Sequence, residues 1–295
     1  MRTHHEKWFY VMISPWLIGF VLFQVVPLVA GLGLALFDWN PVRIPTWVGL
    51  THVIAAATDP FTHHALANTL KYVLTSIPLT LGLALALAIS FQRVRGLPGT
   101  SFLQTAVFIP SVMSGVAIAF AWAWLFDPKF GPVNRALQTI GITGPGWFKD
   151  QHWALPALVL MTVWACGGAM LIYLAAMRTL PHELHEAAML DGAGPWTRFW
   201  SITLPLLSPV TFYLVVIALI NALQLFTPAY VITRGGPQSA TLMMGLHVYF
   251  TGFQFGRFGE ASALALFVLL IALVVTVIQF KLSGRWVHYE GGQVK

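Results

Sequence analysis

The sequence predicts an all-α, polytopic membrane protein with six transmembrane helices, a single domain over residues 1–295, and one structured polar loop. Three observations carry that prediction. Uncharged apolar runs of about 18 residues or more recur along the chain, the length needed to cross about 30 Å of hydrocarbon. Hydrophobic residues make up 57% of the 295 and charged residues only 9%, with a mean hydropathy of +0.75, so the chain has too few charges to cover a soluble surface. Finally, a polar, aromatic insert of about two dozen residues, EAAMLDGAGPWTRFWSITLPLLSP from Glu186 to Pro209, separates two of the apolar runs.

Taken in order, the first span runs from about Trp8 to Phe37. The second runs from Leu66 to Phe91, with an uncharged core from Tyr72 to Ser90. The third covers Phe102 to Phe126, the fourth Trp153 to Met177, the fifth Leu206 to Val231 and the sixth Ala261 to Phe280. Prolines 15, 27, 78, 110, 156, 209 and 228 lie in or near the ends of these spans, where neighbouring helices and hydroxyl side chains can satisfy the freed carbonyls. The first apolar stretch is too long for the core of a cleavable signal peptide and no small-x-small site follows it, so a retained anchor is expected.

Six spans put both termini on one side. Nine of the 16 basic residues fall on that side: Arg2, Lys7, Arg93, Arg95, Arg178, Arg198, Lys281, Arg285 and Lys295. Arg43, Lys71, Lys129, Arg135, Lys149, Arg234 and Arg257 fall on the other, over longer loops. Short loops weigh most in orientation, and Arg93 and Arg95 share the short turn Gln92 to Ser101. Both termini and the Glu186 insert are therefore expected in the cytoplasm. The net charge of +6 and pI of about 9.7 fit loops meeting anionic lipid rather than nucleic acid.

Several chemistries are excluded. A phosphate-binding P-loop needs Gly-Lys, and no such pair occurs. His182-Glu183-Leu184-His185-Glu186 resembles the zinc-protease helix motif, but its histidines are three apart where that motif needs four, so no metal is expected. His4-His5 and His63-His64 read as interfacial pairs. The single cysteine, Cys166, permits no internal disulfide. No span carries a convergent Ser/His or Asp/Glu set, so the chain is not expected to be an enzyme. Intramembrane acidic residues, the usual means of ion coupling, are also missing from the span cores; an ion-coupled secondary transporter or channel working without an ATPase remains the alternative.

The insert reads as two short amphipathic helices hinged at Gly192-Ala193-Gly194-Pro195. Thr179 suits the N-cap, Pro181 the first turn, and Glu183 the positive end of the helix dipole. Leu184, Ala187 and Ala188 fall on one face, Gly192 is the natural left-handed terminator, and Pro195 opens the second helix, Trp196 to Ile202. Its mixed charges are too few in Lys and Arg for a helix lying on lipid, which points to docking on a water-phase partner.

At Glu186-Ala187-Ala188, Asp191-Gly192-Ala193, Phe199, Ile202, Leu204-Pro205 and Pro209, the insert resembles the signature loop of permease subunits in binding-protein-dependent ABC importers. Further matches resemble the sugar and glycerol-3-phosphate branch: FDWN at Phe37–Asn40, WVGL at Trp47–Leu50, DPF...ALANTL from Asp59 to Leu70, FTPAYVITRGGPQSAT from Phe226 to Thr241, and GEASAL from Gly259 to Leu264. These matches run nearly end to end. The resemblance implies a coupling loop over residues 178–205, seated in a groove of an ATPase, with Glu186, Ala187, Ala188, Asp191 and Gly192 making the contact. It also implies a second permease subunit forming a heterodimer, with this chain as the first-permease type. A dimer of ATP-binding subunits and an extracytoplasmic solute-binding protein complete the implied assembly. No cofactor is implied on this chain; ATP and Mg would sit on the partner ATPase. The implied location is a bacterial or archaeal inner membrane, with the spans in contact with lipid.

For the substrate route, polar residues inside spans are the candidates. Asn221 and Gln224 are three apart and share a face of the fifth span, and Thr227 continues the row. Gln24, Thr162 and Gln279 look isolated. No Lys or Arg lies in a span core, which favours a neutral sugar over an anion such as a glycerol phosphate. Arg234-Gly235-Gly236-Pro237 reads as a turn ending the fifth span, with Met243, Met244, Tyr249, Phe250 and Phe253 dipping towards the membrane edge.

Overall fold

The computed structural model describes residues 2–287. Lys295 lies outside them, as do the side chains of Arg2, His4, His5, Lys7 and His182. The chain divides into two compact units, one made of residues up to His63 with His247–Leu270, the other of His64–Leu246 with residues from Ile271 onward.

Helix α1 (Arg2–Phe20) passes through a π-helical stretch, Val21–Val25, into α2 (Val26–Leu34). Pro27 sits just after the stretch, in the first turn of α2, and brings no amide to bond back into it. The first span ends at Leu34, short of the expected Phe37. Phe37–Asp38 (β1) instead pairs antiparallel with Thr46–Trp47 (β2), and the Phe37 and Trp47 rings meet edge to face at 5.0 Å. After α3 (Thr51–Thr58), Asp59 accepts hydrogen bonds from the Thr62 amide and hydroxyl, both at 2.9 Å. That carboxylate caps α4 (Pro60–Arg93), whose first residue is a proline with no amide to satisfy.

Three bent pairs follow. Between α5 (Thr100–Val112) and α6 (Gly115–Leu125) the axis turns by 103°, where one continuous third span was expected. Pro110 removes an amide from the ladder, and Met113 and Ser114 are extended. A loop helix, α7 (Pro132–Thr139), and a 3₁₀ turn, Trp147–Lys149, precede α8 (Ala154–Trp164) and α9 (Gly167–Thr179), which are bent by 42° at Ala165-Cys166. Gly167 sets the packing here. A Cβ on it would strike the Val107 carbonyl, so only glycine lets α9 lie this close to α5.

The polar loop carries α10 (His182–Leu190), α11 (Pro195–Arg198), a π-helical stretch Phe199–Thr203 and α12 (Leu204–Leu206). A 63° bend at Leu207 then leads into α13 (Ser208–Leu223). The fifth span was expected to run unbroken to Val231, but α13 stops at Leu223. The Leu225 amide turns back to the Ala222 carbonyl and leaves the ladder, and a Cβ on Gly245 would lie 3.3 to 3.5 Å from the Leu225 and Gln224 carbonyls; Pro228, with no amide to give, stands just beyond the break. A π-helical stretch, Ala229–Thr233, then α14 (Met244–Tyr249), a further π-helical stretch Phe250–Gln254 and α15 (Phe258–Ser283) complete the chain. Among the described residues, Trp8–Leu34, Pro60–Arg93 and Phe258–Ser283 are each long and apolar enough to span a membrane, and there are six spans when each bent pair counts as one.

The core of the larger unit lies where α4, α9 and α13 meet. Ala84, Ala88 and Phe91 of α4 pack with Met170, Tyr173 and Leu174 of α9 and with Leu214 of α13. Small alanines on α4 admit the bulkier α9 side chains, the pattern that lets membrane helices approach closely. The Tyr173 hydroxyl donates to Thr211 Oγ1 at 3.2 Å, tying α9 to α13.

Candidate functional site

Helix α10 begins two residues later than Thr179 would have set it. Pro181 is its N-cap, while Thr179 ends α9 with its hydroxyl bonded back to the Ala176 carbonyl at 2.8 Å. A threonine already bonded within the preceding helix cannot cap the next one. Glu183 stands in the first turn, as the helix dipole favours. At the other end Asp191 is the C-cap and Gly192 takes φ +76°. The Ala193 amide donates to the Ala188 carbonyl at 2.8 Å and the Gly192 amide to Met189 at 3.1 Å, the paired bonds of a Schellman terminus.

Glu186, Ala187, Asp191 and Gly192 are exposed, whereas Ala188 is half-buried beside His185, so the expected small-residue face is divided between outside and inside. Leu190 is 90% and Trp196 75% exposed, an unusual display of apolar surface on a polar loop. Pro195 does open the second helix, but that helix continues through the π-helical stretch to Leu206 rather than ending at Ile202. The loop lies across the ends of α4 and α9: His185, Arg198 and Phe199 share a cavity of about 370 Å³ with Gln92, Arg93 and Leu180. Its two ends are anchored in α9 and α13, which share the core with α4.

Asn221 and Gln224 are exposed on this chain, and both lie at the end of α13. Thr227 does not extend their row, because the helix breaks between them; its methyl carbon instead lies 3.8 Å from the ideal Cβ position of Gly115. Thr162 is not isolated: its hydroxyl and that of Tyr72 are 2.6 Å apart. The buried polar residues of α4 hold the segment after the Gly-Gly-Pro turn. Asn68 Nδ2 donates to the Ser239 carbonyl at 2.8 Å, and the Met244 amide donates to Thr69 Oγ1 at 3.0 Å. Met243 and Met244 are therefore buried in the protein rather than at the membrane edge. Asn68 and Thr69 were within the legible motif, but the partner segment some 170 residues later gave no local signal for the contact.

The segment between α6 and α8 is also built. Asp127 Oδ1 accepts from the amides of Lys129 and Phe130 at 2.9 and 3.0 Å, and its Oδ2 meets Lys149 Nζ at 3.0 Å. Those bonds, the Phe130 amide foremost, hold the carboxyl down at a pKa of about 2. Trp147 Nε1 donates to Asn134 Oδ1 at 2.6 Å, and its ring stacks on Phe126 at 4.2 Å. Among the described residues no group of three or more His, Cys, Asp or Glu is placed to hold a metal ion.

Together these features define a helical protein with up to six candidate spans, three of them broken, and an exposed helical loop set across the ends of two core helices. Residues 79–288 match the family of binding-protein-dependent transport system inner membrane components, and the chain belongs to that family. It is 38% identical to the probable ABC transporter permease protein YesP of Bacillus subtilis (strain 168), over 95% of this chain and 92% of that one. It is 30% identical to the lactose transport system permease protein LacF of Rhizobium radiobacter, over 95% of each. A crystal structure of a bacterial alginate ABC transporter, in complex with an alginate pentasaccharide-bound periplasmic protein, contains a chain that superposes with a TM-score of 0.84. That chain is 26% identical, with 96% of each chain covered.

Proposed function

We propose that this chain is one of two permease subunits of an ATP-driven importer, and that it passes a sugar or oligosaccharide inward from an extracytoplasmic binding protein. In this reading α10 couples the spans to a dimer of ATP-binding subunits, with Glu186, Ala187, Ala188, Asp191 and Gly192 at the contact. The observation that carries it is the exposure of Leu190 and Trp196 beside Glu186 and Asp191 on a loop anchored in α9 and α13. Such a surface needs a partner, and a push on it is delivered directly to two core helices. The likeness to a lactose permease and to an alginate importer supports a saccharide substrate. Alginate, the substrate of the latter, is acidic; the uncharged stretch Tyr72 to Ser90 of α4 and the absence of Lys or Arg from the other span cores favour a neutral saccharide here. Asn221 and Gln224, exposed at the end of α13, are the proposed pathway groups, with Thr227 just beyond the break.

The test is purification in mild detergent from native membranes, then reconstitution with whatever co-purifies. A P-loop ATPase, a second permease and ATP-dependent uptake of the saccharide bound by the associated binding protein are expected. With Glu186→Ala, the complex assembles and hydrolyses ATP, but uptake per ATP falls by about tenfold, as the loss of one charge-assisted contact predicts. Uptake by the chain alone, without ATP, would establish the ion-coupled alternative instead.

A further inference from the structure

The cavity behind α10 has a chemistry that docking on an ATPase does not use. Arg93 closes α4, Arg198 closes α11, and both line the cavity; no Asp or Glu does. Arg198 Nε and Gln92 Oε1 are buried without hydrogen-bond partners. Burying a donor on a cation and an amide acceptor with nothing to bond is costly, so a ligand that supplies both partners gains from each. The rest of the wall carries His185 and Thr203 beside the apolar Ile89, Leu180 and Phe199, and the volume of about 370 Å³ falls in the range of small-molecule sites. The exposed indole of Trp200 lies on the same helix as Arg198 and Phe199, a side chain of the kind that settles at the lipid headgroup level.

We propose that this cavity binds a glycerophosphate group. A phosphate oxygen accepts from Arg198 Nε and faces the Arg93 guanidinium, a glycerol hydroxyl donates to Gln92 Oε1, and the carbon chain lies on the Ile89–Phe199 wall. The group is supplied either by the headgroup of an anionic lipid such as phosphatidylglycerol or by a free glycerol phosphate. The site stands independently of the coupling reading, since it requires only the position of the loop over α4 and α9.

Native mass spectrometry on the purified complex tests it, with dioleoylphosphatidylglycerol, dioleoylphosphatidylcholine and sn-glycerol 3-phosphate as separate probes. The expected result is one phosphatidylglycerol retained per copy of this chain, about tenfold more tightly than phosphatidylcholine. Arg198→Gln and the near-isosteric Gln92→Leu should each weaken retention by about tenfold, and Arg198→Lys by less. Arg178→Gln, at an exposed arginine that does not line the cavity, should leave it unchanged. Retention of glycerol 3-phosphate with the same dependence on Arg198 and Gln92 supports the site and gives its source as soluble. Equal retention of the two lipids with none of the soluble probe, or retention indifferent to both substitutions in monodisperse protein, overturns it. Binding to the isolated chain that vanishes in the complex also overturns it, in favour of a partner side chain filling the cavity.

Discussion

Gly192 and Gly167 each resist substitution in this structure, for different physical reasons and by different amounts. At Gly192 the backbone is left-handed, with φ +76°, and no heavy atom stands within 4 Å of the place a Cβ would take. Substitution there therefore costs only conformational energy. Gly192→Ala should loosen the end of α10 by about 1 kcal/mol and Gly192→Asn by less, read as faster amide exchange at Gly192 and Ala193. At Gly167 the backbone is ordinary, and the obstacle is the Val107 carbonyl on α5. Gly167→Ala should lower the stability of the purified protein by about 1–3 kcal/mol in thermal unfolding. Gly168→Ala, which meets only Ser111 at 3.8 Å, should be close to neutral. If the two alanine variants melt alike, the close packing of α5 on α9 is wrong. The first glycine was legible in the sequence because its helix, its proline and its own position lie within a few residues. The second was not, because its partner lies 60 residues earlier and no local pattern encodes that contact.

The elements show the same division. Apolar length marked most of α4 and α15, and the glycine and proline spacing marked the end of α10 at Gly192 and the start of the next helix at Pro195, but neither the N-cap of α10 nor the end of the second helix. The breaks inside the other spans were not readable. A proline in a membrane helix is compatible with a gentle kink or with a full stop, and the outcome depends on what receives the freed carbonyl. After Leu223 the chain leaves the helix where Gly245 comes close to the Gln224 and Leu225 carbonyls, and this displaces Thr227 from the row expected of it. The segment between α6 and α8 was assigned no order in the sequence, although Asp127, Asn134 and Trp147 bind it together. Asp127 gives it a pH dependence with a definite sign. A carboxyl whose pKa falls from 3.8 in the unfolded chain to about 2 in the folded one contributes stability that is complete above 3.8 and lost as pH falls towards 2. The Trp147 contribution to fluorescence of the detergent-purified protein, taken as the difference from Trp147→Phe, should hold constant down to about pH 4 and change below it, and Asp127→Asn should show the low-pH signal at neutral pH. A transition centred above pH 5 would mean that another group controls the segment.

At the scale of the whole molecule, function depends on which loops face which side, and the charge bias that sets orientation is shallow at nine basic residues against seven. The proposed coupling requires α10 and the turn after α4 to face the cytoplasm, with the Asp127–Lys149 segment and the Gly235-Gly236 turn outside, on the side where the proposed binding protein would dock. The chain is well suited to a direct test, because Cys166 is its single cysteine and is buried. In a Cys166→Ser background, a cysteine placed at Leu190 or at Ile140, both strongly exposed, should perturb little. A membrane-impermeant maleimide should label Leu190→Cys only in inside-out vesicles and Ile140→Cys only in intact spheroplasts. The reverse pattern would put α10 where there is no ATP and remove the coupling reading, while leaving family membership untouched. With the expected orientation, adding the partner ATPase should also protect Leu190→Cys from the label by about tenfold or more, since a docked residue loses its access to solvent. Orientation without protection would place the loop in the right compartment yet leave its exposed leucine and tryptophan to a partner other than the ATPase.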